Sequence, residues 1–565
     1  MRAQAATLRA QAATLRAQAA TLCVQVSAVL CPPLLAVWGR GTAGAAALLS
    51  SCVEAATLYL LRWRGEEAMA EAACSLLATL ARLKGAAVQL VALAAWQRLA
   101  AHPPPSLPPR AQRLLLEALG RGAVAAPAAV HEEAVRALRE PLHARLHAAT
   151  AGCDVGSAAG RAELREPARL FEVLSLCDCL RGVARASSLH TLEPLFDIVA
   201  PTLPALAALV HAYEHDARAL VALLKVHRDL ARAQMGGLPC EQAQQLAGAS
   251  YALIAQYAKH VPPLRDGGGA AGGAAGGAAG GGAGGAAGGA AGGGAEASAE
   301  AEHEEYRQVR TLLELLSAVA ARDLGGTAVA EAAAQAVLAA AELLLPRVSV
   351  RLLSFPKLCR QYFALLSYLL DAHPQRAVAL SSPLYDAVLA ALRFGLAHHE
   401  VATTEAALQA SYDLAPNPNP KPKPKPNPNP NPNSNALQAS YDLARHASQH
   451  AERAAPMAPM LQALLSHLAA ELLCSRLHPD VIDPAAGNAL LALIVAQQAH
   501  WQAMVTSLLG AQHDPHTRDA AAAAFGALLG TNGVTASLQK PNRVRFRANL
   551  ERLLQHVRSS NMVLA

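Results

Sequence analysis

Apolar residues recur at helical spacing from about residue 42 to the C-terminus. No segment carries the strict alternation or β-branched run of a strand. A chain of amphipathic helices without strands must bury one stripe of each helix against its neighbours. Aromatics make up only 4 % of the residues, so those contacts have to be built from Leu, Val and Ala. At 565 residues the chain is too long for one ordinary core, which leaves several domains or one extended stack.

The helices are predicted in pairs: 66–83 with 86–101, 205–233 with 239–259, 300–323 with 327–345, 356–372 with 383–398, and 457–476 with 486–509. Breakers separate them at Gly85, Pro103 to Pro105, Gly236-Gly237, Gly325-Gly326 and Pro374. Pair-to-pair spacing falls near the roughly 40–47 residues of HEAT-type repeats. The fold class expected is therefore all-α, a HEAT-like helical-repeat solenoid. In one helix Leu312, Leu313, Leu315, Leu316 and Val319 form the buried stripe.

Three segments interrupt the pattern. Residues 2–22 are three copies of Arg-Ala-Gln-Ala-Ala-Thr-Leu, with one strong apolar position per heptad where a coiled coil needs two. They read as a tandem duplication; an acid-free, Arg-bearing start also resembles a transit peptide. Residues 267–294 contain only Gly and Ala, too little to hold or bury a helix. Residues 416–435 alternate Pro with Asn, Lys or Ser-containing steps, an extended spacer, and Ala-Leu-Gln-Ala-Ser-Tyr-Asp-Leu-Ala occurs on both sides, at 407–415 and 436–444. The expected organisation is a low-complexity heptad segment at 1–30, helical repeats over 31–265, a disordered Gly/Ala linker over 266–298, and helical repeats over 299–565 with a disordered Pro-rich insert at 416–435.

Net charge is +6, and 40 of the 48 basic residues are Arg. They are scattered singly, as at Arg82, Arg98, Arg113 and Arg310, without the block of neighbours that a nucleic-acid surface calls for. No run of about 18 uninterrupted apolar residues marks a membrane span. Ten cysteines lack framework spacing and read as reduced thiols. Cys177 and Cys179 sit two apart and point to different helix faces, a poor chelate.

Enzyme motifs are missing: there is no G-x-x-x-x-G-K-[ST], strand-bound G-x-G-x-x-G, G-x-S-x-G or H-E-x-x-H. His398-His399-Glu400 reads as a solvated helix end. His211 and His215, four apart on a helix, have the spacing of two zinc ligands, but Glu214 and Asp216 beside them make a polar face the expected reading. Tyr213 and Tyr251 read as core or groove residues. No catalytic, cofactor-binding or metal residue is expected.

Several segments resemble nuclear export receptors of the karyopherin-β (importin-β-like) superfamily. The clearest pairs Phe355-Pro356, Leu358-Cys359 and Gln361-Tyr362 on one helix closed by Pro374. Pro356 suits a first helical turn, and Leu358, Tyr362, Leu365 and Leu369 give its buried stripe. Leu58 to Trp63, Trp96 to Gly120, Glu304 to Leu316, Ser507 to Pro515 and the tail Phe546 to Leu564 follow in order. The similarity spans roughly residues 45 to 565 and corresponds to the C-terminal portion of such a receptor. It implies a superhelix that cradles a cargo protein with GTP-bound Ran, passes nuclear pore proteins and shuttles between nucleus and cytoplasm. It implies no catalysis, no cofactor, no nucleic acid and no membrane. Arg218, Arg310 and Glu314 are candidate positions for the concave face of such a receptor, and the resemblance assigns no partner-contacting residue. The alternative is a Ran-independent HEAT-type protein–protein scaffold.

Overall fold

The computed structural model describes residues 43–62, 66–83, 86–104, 107–188, 191–262, 292–320, 328–372, 382–396, 458–474, 485–560 and 562. Among these every element is a helix and none is a strand. The heptad copies, the Pro-rich insert with its flanking repeats, and His398-His399-Glu400 lie outside the described residues. The chain forms two compact units, one running to residue 264 and resuming over Gly285–Ala340, the other built from Ala341 onward.

In the first unit the helices are α1 (Ala43–Arg62), α2 (Glu67–Arg82), α3 (Ala86–Ala92), α4 (Ala94–Ala101), α5 (Pro109–Ala125), α6 (Ala128–Thr150), α7 (Ala158–Leu164) and α8 (Pro167–Arg185). They continue with α9 (Leu192–Val199), α10 (Leu203–Ala212), α11 (Ala217–Gln234), α12 (Cys240–His260) and α13 (Gly292–Ala320). Helices α2, α5, α8, α11 and α13 pack side by side in that order as one row. A second row lies against it: α1 on α4, α4 on α6, α6 on α9, and α10 on α12. Each helix thus spends its apolar stripe on its neighbours in both rows. Met69, Leu76, Leu77 and Leu80 of α2, and Leu220, Leu223, Leu224 and Leu230 of α11, are all fully buried.

Two predicted helices break where their apolar pattern runs on. The expected 205–233 helix is α10 and α11, separated at Tyr213–Asp216. Tyr213 closes α10, and the Asp216 carboxylate accepts from the Ala219 amide at 2.9 Å to cap α11. The expected 86–101 helix divides at Leu93, which has extended backbone. Likewise α13 begins at Gly292, inside the range expected to be linker, because its Ala- and Glu-rich lead is a strong helix former. It then packs on α11 and α12, and one division between the units falls in α14 (Ala328–Leu344).

The stretch Leu192–Ala212 is apolar and long enough to cross a bilayer, but 67 % of its most apolar window is buried inside the unit, the mark of a core helix. Close approach of α5 and α8 depends on Gly182. A Cβ there would meet the Arg113 carbonyl oxygen at 2.3 Å and Leu116 Cβ at 2.9 Å. Gly182→Ala is expected to destabilise the fold by about 1–3 kcal/mol through overpacking. Gly236→Ala, with open space around its Cβ, is the matched control. Urea unfolding compares them, and equal midpoints would remove the close approach as a constraint.

The second unit contains a 3-10 turn (Leu345–Arg347), α15 (Val350–Leu353), α16 (Pro356–Ala372), α17 (Ser382–Leu396) and α18 (Ala458–Leu473). The predicted 486–509 helix divides at Gln497 into α19 (Gly487–Ala496) and α20 (Gln498–Gly510), followed by α21 (Pro515–Gly530) and α22 (Lys540–Ser559). Pro356 starts α16, and its stripe Leu358, Tyr362, Leu365 and Leu369 is buried. Helix α22 packs on α21 and α19. The Asn549 amide of α22 donates to the carbonyls of Ala527, Leu528 and Thr531, satisfying the end of α21.

Candidate functional site: an arginine–carboxylate ladder

Every junction of the α2–α5–α8–α11–α13 row carries a charge pair. Arg82 at the end of α2 reaches Glu117 of α5 at 2.7 Å. Arg113 of α5 reaches Asp178 of α8 at 3.3 Å. Arg181 and Arg185 of α8 reach Asp229 of α11 at 2.9 and 3.1 Å. Arg228 and Arg232 of α11 reach Glu314 of α13 at 3.0 and 3.5 Å. Within the helices, Arg121 with Glu117, Arg181 with Asp178 and Arg310 with Glu314 add pairs at three- and four-residue spacing.

The side chains of Glu117 and Asp229 are buried and that of Glu314 nearly so; Arg181 and Arg228 are largely buried with them, while Arg82 and Arg232 are 49 % and 60 % exposed and Arg185 and Arg310 are partly exposed. Eight guanidiniums share four carboxylates, so the solvent side of the ladder is cationic. Burial raises the Asp229 carboxyl, but the guanidiniums of Arg181, Arg228 and Arg185 outweigh it and hold the group below the usual carboxylate range. At Asp178 burial wins over Arg181 and Arg113, and the carboxyl is pushed up. Lys225 is pulled down to about 8, by burial first and then by Arg181, Arg228 and Arg307.

Sequence reasoning saw these arginines as isolated. Arg82, Arg113 and Arg310 stand in the ladder, whereas Arg98 and Arg218 are exposed outside it. The available signal was an acid with Arg three or four residues away on α5, α8 and α13: Glu117/Arg121, Asp178/Arg181 and Arg310/Glu314. Cys177 and Cys179 diverge as the helix period requires. The Cys177 thiol is pushed up to about 12, chiefly by burial, while Cys179 meets Arg145 and Gln112. The eight described cysteines are free thiols. Tyr213 is buried and its hydroxyl donates to the Leu164 carbonyl at 2.8 Å, whereas Tyr251 is exposed. His211 and His215 do not act as a pair: His215 is exposed, and the ring of His211 stacks on His260.

No model of a known protein family matches the chain. The ladder holds no nucleophile–base pair; it lines up charge along five consecutively packed helices.

Proposed function

We propose that the protein works by binding other proteins along a HEAT-like helical solenoid, with the cationic side of the ladder taking an acidic partner surface. The observation that carries this reading is the consecutive packing of α2, α5, α8, α11 and α13 with a charge pair at each junction. Such a stack presents one face per repeat, so affinity is spread over many modest contacts. By its collinear resemblance, the more specific proposal is an exportin-4-like nuclear export receptor that carries a cargo protein with GTP-bound Ran past nuclear pore proteins. In that role flexing of the stack opens and closes the grip, and Ran supplies the hydrolysis that releases cargo.

Pull-down on the immobilised full chain, with Ran locked in its GTP or GDP form, tests the proposal. The export reading expects retention of the GTP form and of cargo only in its presence. Equal retention of both forms, or none, ends that reading. Cargo capture without Ran leaves the Ran-independent scaffold. For the ladder, reversing Arg82, Arg185 and Arg232 to Glu is expected to weaken partner capture and flatten its salt dependence.

A further inference from the structure

Helices α10 and α12 lie side by side, and each ends in histidine chemistry: His211 in the last turn of α10, His260 as the last residue of α12. Their imidazoles stack with centroids 3.7 Å apart and planes 19° from parallel. Glu214 stands in the turn that follows α10. One ligating atom from each of the three lies within 4.8 Å of the other two, and all three residues are half-buried.

We propose that His211, Glu214 and His260 bind a divalent transition-metal ion of the zinc class, with a fourth coordination position facing solvent. Two imidazole nitrogens and a carboxylate oxygen form a ligand set that suits Zn²⁺. The C-terminal ends of two helices converge there, and their carbonyl ends favour a cation.

Two groups compete for Glu214. Arg165, whose Nε donates to the Ala212 carbonyl at 2.5 Å, and the exposed His215 both approach the same Glu214 oxygen, at the longer distances of 3.4 and 3.6 Å. Bonds of about 2.0–2.1 Å to one ion put neighbouring tetrahedral ligand atoms roughly 3.3 Å apart. The stacked rings must therefore fan open and the carboxylate swing inward, small side-chain rotations at half-buried positions. The bound ion would staple α10 to α12, two successive members of one row, and so stabilise the first unit by mass action.

Equilibrium dialysis of the reduced full chain against Zn²⁺, paired with Co²⁺ absorption spectra, tests the site. The expected result is one ion bound, with visible Co²⁺ bands free of the thiolate charge transfer that cysteine ligands would give. His211→Ala, Glu214→Gln and His260→Ala should each lower affinity by more than the roughly 10–100-fold that loss of a supporting contact causes. His303→Ala, on the exposed surface of α13, should bind as the parent does. Zn²⁺ should raise the unfolding midpoint of the parent and leave that of Glu214→Gln unmoved. No ion retained by the parent, thiolate bands in the Co²⁺ spectrum, or undiminished binding by the three variants overturns the proposal. Circular dichroism verifies folding, and the near-isosteric Glu214→Gln decides if a histidine variant fails to fold. These readouts are independent of Ran and cargo.

Discussion

Replacing Asp229 by alanine is expected to destabilise the first unit by about 3 kcal/mol, the low end for removing one partner of a buried ion pair. The carboxylate is buried and meets Arg181, Arg185 and Arg228. Arg181 and Arg228 are themselves largely buried, so removing the acid leaves positive charge with little water to solvate it. The effect stays at the low end because Arg181 retains Asp178 and Arg228 retains Glu314. A loss of this size lowers the unfolding temperature of a unit this large by roughly 4–6 °C. Hydrogen exchange should quicken first in α8 and α11, the two helices that Asp229 joins. Asp229→Leu combined with Arg181→Met should recover part of the loss, since an apolar pair of similar volume replaces a desolvated one. An Asp229→Ala protein with the parental midpoint would show that the ladder contributes no stability.

Acid should cost the same unit a comparable amount. His227 is fully buried on α11, and burial pushes it down to about 4 from the ordinary imidazole value of about 6.5. Its Nε2 has no hydrogen-bond partner, and Nδ1 reaches the Leu223 carbonyl only at 3.4 Å. The sign follows from proton uptake: between those two values the unfolded chain takes a proton that the folded chain refuses. Stability from the neutral ring is therefore complete above the unfolded value and falls by roughly 3 kcal/mol as pH drops towards 4. Asp229, held below its ordinary range, adds to the loss once the pH falls below the unfolded carboxylate value. Urea midpoints followed from neutral pH to about pH 3, below the unfolded carboxylate value of roughly 3.9, check this. His227→Leu should flatten the first part of the curve and leave the Asp229 part in place. An unchanged slope in that variant would assign the acid sensitivity to other groups.

Periodicity made most helices legible. The α16 start at Pro356, its buried stripe, and the stripe of Leu312, Leu313, Leu315, Leu316 and Val319 in α13 all follow from local spacing. Boundaries were lost where an apolar pattern crosses a turn. Val210, Tyr213 and Leu220 keep helical spacing through the break before α11, because Tyr213 packs into the core from the turn itself. The charged site was legible only in halves. Spacing within a helix pairs Arg310 with Glu314, but nothing local says that Arg228 of another helix reaches the same carboxylate. His211 shows the same limit: its nearest histidine in sequence is His215, while its nearest in space closes a different helix.

Arg181 holds one carboxylate on its own helix and another on the next, and Arg228 likewise bridges Asp229 and Glu314. Neighbouring junctions consequently share hardware. Tilting α8 strains its links on both sides at once, so disturbance at one end of the row is handed forward instead of being absorbed locally. A string of independent beads would soften in proportion to its length. This row is built more like a linked chain of couplings, and because the linking groups are largely buried, dissolved salt reaches its exposed rungs first.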